Sequence, residues 1–117
     1  MPWLNIVDAQ MVGALGGVAA NNRKIVKADG EYEIPNESGI RYIIADAADK
    51  TIYIKLPAPA SAIGYDLLIK VTNATNKVGI YPHGAECIDG TQQTIKLEVD
   101  YSYVRLLSDG TDWHIIG

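Results

Sequence analysis

From Ile25 onward the chain carries turn-forming sequences about every ten residues, too close together for helices of ordinary length. They are Asp29-Gly30, the 35–39 segment with Pro35, Asn36 and Gly39, the 45–49 segment, Pro57 with Pro59, the 73–76 segment, Pro82-His83-Gly84, Asp89-Gly90 and Asp109-Gly110. The runs between them are short and rich in Ile, Val, Tyr and Leu: 31–34, 41–44, 51–56, 65–71, 77–81, 94–99, 101–107 and 113–116. Within them apolar residues recur at every second position, as when Ile52, Ile54 and Leu56 alternate with Tyr53 and Lys55. Period-two spacing gives a strand one dry face, so the expectation is an all-β fold of about eight or nine short antiparallel strands in a sandwich, a barrel or a short β-helix. The carboxyl-terminal runs are predicted to form a β-meander, with Asp-Gly supplying positive-φ corners. Pro57 and Pro59 must end the strand before them, because proline cannot donate to a ladder.

At 117 residues the chain fits one domain, and 48% hydrophobic against 21% charged residues describes a chain that can bury a core. Phe is absent and Tyr occurs seven times, which shifts the aromatic content toward half-wet surfaces. A net charge of −4, with Lys and Arg scattered singly, leaves no basic stripe for a phosphate backbone, so no nucleic-acid partner is expected. No run reaches the ~18 apolar residues that a membrane helix needs, and the first residues lack a basic n-region, so neither a membrane span nor a secretory signal is expected. Cys87 is the one cysteine, which rules out an intrachain disulfide and a multi-thiolate zinc site within one chain.

Residues 1–24 differ from the rest. Gly, Ala and Val dominate without strand alternation, and the segment reads as an amino-terminal arm or a short helix over 7–15, ahead of a single β domain at 25–117.

Candidates for chemistry are sparse. His83, Glu86 and Cys87 lie close in sequence, but Pro82-His83-Gly84 reads as a turn and Cys87 as a small buried residue. The carboxylate pairs Asp46 with Asp49, Glu31 with Glu33, and Asp109 with Asp112 fit corners that bond their own backbone, or a solvated strand face, better than the facing pair of a glycosidase. No twelve-residue calcium loop, phosphate loop or nucleophile elbow is present, so no catalytic residue, metal or other cofactor is expected. Aromatic side chains remain as candidate contacts for a partner or ligand: Trp3, Tyr32, Tyr42, Tyr53, Tyr81 and Trp113. Trp113 also reads as a plug over the end of the core.

From Lys50 to the end, the motif order resembles a module of tailed-bacteriophage virion proteins, found in fibres, spikes and capsid decorations. The resemblance is carried by Leu56-Pro57, Gly64-Tyr65, the strand 78–82, Ile88-Asp89-Gly90, the strand 94–97, Val104-Arg105-Leu106, Asp109-Gly110 and Trp113. It implies a homotrimeric all-β structural protein of the virion without catalytic activity, a capsid decoration or a head- or tail-fibre component. On that reading residues 1–24 attach to capsid or tail proteins. The alternative is a module of a fibre or spike that binds host-surface glycan through exposed aromatics.

Overall fold

The computed structural model describes residues 23–27, 30–64 and 66–117, with the backbone alone for 23–27. Most of the arm segment, and Trp3 with it, lies outside the described residues. The described residues form nine strands: β1 (Arg23–Lys27), β2 (Glu31–Glu33), β3 (Tyr42–Asp46), β4 (Ile52–Lys55), β5 (Asp66–Asn73), β6 (Val78–Tyr81), β7 (Ile95–Leu97), β8 (Tyr103–Ser108) and β9 (Trp113–Ile115). One 3-10 turn, Pro59–Ser61, follows the β4 strand, where the two prolines stop the ladder. The fold is all-β, and β1 already begins at Arg23.

The chain alternates between two sheets. β1, β3 and β5 lie side by side in the first, and β2, β4 and β6 in the second. Each strand pairs in parallel with the strand two further along: Ile44 with Lys70 on β3 and β5, Ile54 with Ile80 on β4 and β6. These six strands therefore make a short two-sheeted β-helix, which corrects the expectation of antiparallel pairing for this part of the chain. The same period-two pattern serves both arrangements, because it fixes which side chains face inward and not which strand lies alongside.

Three antiparallel strands complete the sheets. β7 adds to β6, β8 adds to β5, and β9 adds to β8. The expected meander is thus made only in its last hairpin, because β7 and β8 belong to different sheets. Between them the chain turns at 99–102, with Tyr101 at φ 64° and the Ser102 hydroxyl donating to the Val99 carbonyl at 2.7 Å. Asp100 fixes this crossover by accepting the Ala74 N–H at 2.7 Å. The Asp89-Gly90 corner makes the positive-φ turn its sequence predicts. Asp89 and Gly90 take φ values of 52° and 82°, and Ile88 and Thr91 exchange backbone bonds of 2.8 and 3.3 Å, a type I′ hairpin.

The core lies between the sheets. Ile43, Ala45, Leu67, Ile69, Val71, Val104 and Leu106 enter from the first sheet and Ile52, Ile54, Val78, Ile80 and Leu97 from the second. Trp113 is wholly buried, and its indole Nε1 donates to the Pro57 carbonyl at 3.1 Å. Ser108 donates from its hydroxyl to the Pro59 carbonyl at 2.7 Å, so β8 and β9 together hold the proline corner of the second coil. Removing the ring opens a large cavity, and Trp113→Ala is expected to cost about 3–5 kcal/mol in denaturant unfolding. Trp113→Phe keeps most of the packing but strands the Pro57 carbonyl, and about 1–3 kcal/mol is expected there.

Candidate functional site

Because both inner faces are spent on one core, the sheet surfaces that remain are the two outer faces, on opposite sides of that core. In the first sheet the alternation that buries Ile43, Leu67, Ile69, Val104 and Leu106 turns their neighbours outward. The ladder registers align them in rows: Tyr42, Leu68 and Arg105 in one, Ile44, Lys70 and Tyr103 in the next, and Asp66, Leu107 and His114 in a third. Tyr42 is 45%, Ile44 42% and Tyr103 55% exposed, while Leu68 and Leu107 are half-buried among them. Five large apolar or aromatic side chains thus share one sheet face, a density that free surfaces of monomers seldom carry.

Two of the charged groups on this face are paired with each other. Arg105 forms an ion pair with Asp66, a bond that raises the guanidinium pKa further. The Lys70 ammonium stands 5.9 Å from the centre of the Tyr101 ring. The Arg105–Asp66 pair lowers the cost of drying its part of the face, whereas Lys70 makes no ion pair among the described residues and keeps its charge between Ile44 and Tyr103.

The outer face of the second sheet is more polar. Glu31, Tyr53, Gly79 and Lys96 occupy one cross-strand row, and Glu33, Lys55 and Tyr81 the next. Burial raises the pKa of the Tyr81 phenol, and the nearby charges of Glu31 and Glu33 add to the effect.

The structure scatters the sequence-derived candidates. Tyr42 lies on the first outer face, Tyr53 and Tyr81 on the second. Tyr32 sits opposite Ile54 and packs against the core, and Trp113 is enclosed in it, which favours its reading as a plug. Trp3 lies outside the described residues. Ile44, Leu68, Tyr103 and Leu107 were not singled out from sequence, although their parity relative to the apolar positions carries the signal.

Glu86, Asp46 and Asp109 bond the backbone of their own turns, while Glu31 and Glu33 lie on the outer face of β2. The Glu86 carboxylate accepts the Gly84 N–H at 2.6 Å and stands 3.7 Å from His83, while the half-buried Cys87 gives its N–H to Asp112 at 2.8 Å. Asp46 accepts the Ala48 N–H, and Asp89 the N–H of Ile115, at 3.0 Å each. Among the described residues no three His, Cys, Asp or Glu side chains converge as metal ligands would. No protein-family model matches the chain, and no curated protein matches it significantly.

At the end of the first face, the Asp109 carboxylate caps its own turn by accepting the N–H groups of Thr111 and Asp112 at 2.8 Å each, and it meets His114 Nε2 at 2.7 Å. The backbone bond from Asp112 and the histidine contact lower the Asp109 pKa from 3.8 to about 2, and the Asp109 bond raises His114 above 6.5. A depressed carboxylate contributes stability above its unfolded pKa, and a raised imidazole contributes below its own. The turn is therefore tightest between the two reference values of 3.8 and 6.5, loosening as pH rises through the folded His114 value or falls toward the folded Asp109 value. An NMR titration should place His114 above 6.5, and Asp109→Asn should bring it back toward that value.

Proposed function

We propose that this chain is a structural, self-associating β protein, assembling as a homotrimer and serving as a capsid decoration or fibre component of a tailed-phage virion, with no catalytic role. The observation that carries self-association is the outer face of the first sheet, where Tyr42, Ile44, Leu68, Tyr103 and Leu107 lie exposed or half-buried in adjoining rows. Each identical copy presents the same rows, so closed rotational symmetry offers a way to dry them. The tyrosine, aliphatic and arginine side chains of these rows, with Arg105 already paired to Asp66, support burial against an identical copy. The placement in a virion rests on the motif order from Leu56-Pro57 to Trp113.

Light scattering on the full chain tests this reading. The expected mass is three times the 12.7 kDa protomer. The double variant Ile44→Glu with Tyr103→Glu puts two charges into one exposed row, and should weaken association at least about tenfold while leaving the circular dichroism spectrum unchanged. A wild-type chain that stays monomeric at every concentration overturns the proposal.

A further inference from the structure

On the opposite side of the core, Thr51, Tyr53, Lys77, Gly79, Thr94 and Lys96 line a depression of ≈ 320 Å³. That is the small end of the ~300–1,000 Å³ range of ligand sites, a size for one ring and not for an enclosed chain. Gly79, itself buried, sets how the Tyr53 ring lies in this depression. A methyl group at this position would meet Tyr53 Cδ1 at 3.2 Å, Cε1 at 3.4 Å and Thr94 Cγ2 at 3.4 Å. The missing side chain lets the tyrosine ring lean along bare backbone, with Tyr53 still 45% exposed. An aromatic ring supported by strand backbone offers a ready platform for C–H groups, because its face carries partial negative charge.

Charge is distributed unevenly around that ring. Glu31 is its register partner on β2, whereas Lys77 and Lys96 lie on the side of β6 and β7. Lys77 is shared with Glu98 at 3.5 Å, and Lys96 makes no ion pair among the described residues. The two threonines add hydroxyls that can donate and accept. An anionic group is therefore favoured toward Lys96 and disfavoured toward Glu31, which orients a ligand carrying one acid at one end. A bare oxyanion would be better served by an arginine fork or a cluster of backbone N–H groups, neither of which lines the depression. Here the extended feature is the ring.

We propose that this depression binds one residue of an acidic saccharide, a pyranose bearing a carboxylate, with its C–H face stacked on Tyr53 and its carboxylate directed at Lys96. The site goes beyond the self-association reading and does not depend on it, because it lies across the core from the apolar face and stays open when that face is covered.

The test is an NMR titration of the full chain with an oligosaccharide of alternating glucuronic acid and N-acetylglucosamine, compared with a neutral N-acetylglucosamine oligomer and with inorganic phosphate. The acidic oligosaccharide is expected to bind with shifts centred on Tyr53, Gly79 and Lys96, and added salt should weaken it. Lys96→Gln removes one exposed charge and should weaken binding about two- to fivefold. Tyr53→Ala removes the platform and should weaken it about two- to tenfold. Lys96 is exposed, so Lys96→Gln should leave the melting temperature unchanged; Tyr53→Leu, which keeps cover over Gly79 but removes the flat ring, should weaken binding as Tyr53→Ala does and so separates the lost platform from lost packing. The proposal is overturned if the acidic oligosaccharide does not bind, if the neutral oligomer binds as well, if phosphate alone produces the same shifts, or if the shifts fall elsewhere.

Discussion

Ile43, Ile69 and Val104 from one sheet meet Ile52, Ile54 and Ile80 from the other in a single buried layer, each 4% exposed or less. Every strand contributing to that layer must keep its apolar positions in phase with its neighbours, since a slip of one residue would turn the dry face outward. Phase in turn fixes the outer faces. The side chains between the buried ones are displayed in rows whose membership the register decides, so the core specifies the surface as well as the stability.

A parallel coil does not close itself, and its edges can template further pairing. At the carboxyl-terminal side the chain covers the edges of β5 and β6 by changing direction, and the short strands β7 and β9 become the edges instead. β7 and β8 run antiparallel to the last coil, and β9 returns along β8 with Ile116 and Arg105 still bonded at 2.9 Å. Two side chains then connect this addition to the interior of the helix, Trp113 through Pro57 and Ser108 through Pro59. The proline corner, which no ladder can hold, is held by these bonds instead.

Much of this was legible in the chain. The alternation of Ile52, Ile54 and Leu56 marked the buried side of β4, Asp89-Gly90 marked a tight turn, and the corner role of Asp109 could be read from turn chemistry, whereas the Asp112 carboxylate instead accepts the N–H of Cys87 from a distant segment. Strand partnership was not legible, because the pairing of Ile44 with Lys70 spans an intervening strand and leaves no local mark in either segment. The break between β7 and β8 was hidden for a related reason. Asp100 and Tyr101 look like a tight turn, yet the Asp100 bond to Ala74 directs the chain to the other sheet. Tyrosines were visible as a class, but which of them share a face depends on register, so Tyr42 and Tyr53 could be named without knowing that the core separates them. The role of Gly79 was likewise out of reach, since it exists only because Tyr53 of a neighbouring strand needs the space.

On the proposed reading the two outer faces divide the work, the more apolar one meeting identical copies and the more polar one left free. Intermolecular nuclear Overhauser effects in an oligomer mixed from 13C-labelled and 15N-labelled chains test this division most directly. Contacts between copies should arise from Tyr42, Ile44, Leu68, Tyr103 and Leu107 and not from Tyr53 or Lys96. Intermolecular contacts centred on Tyr53 and Lys96, or none at all, would contradict it.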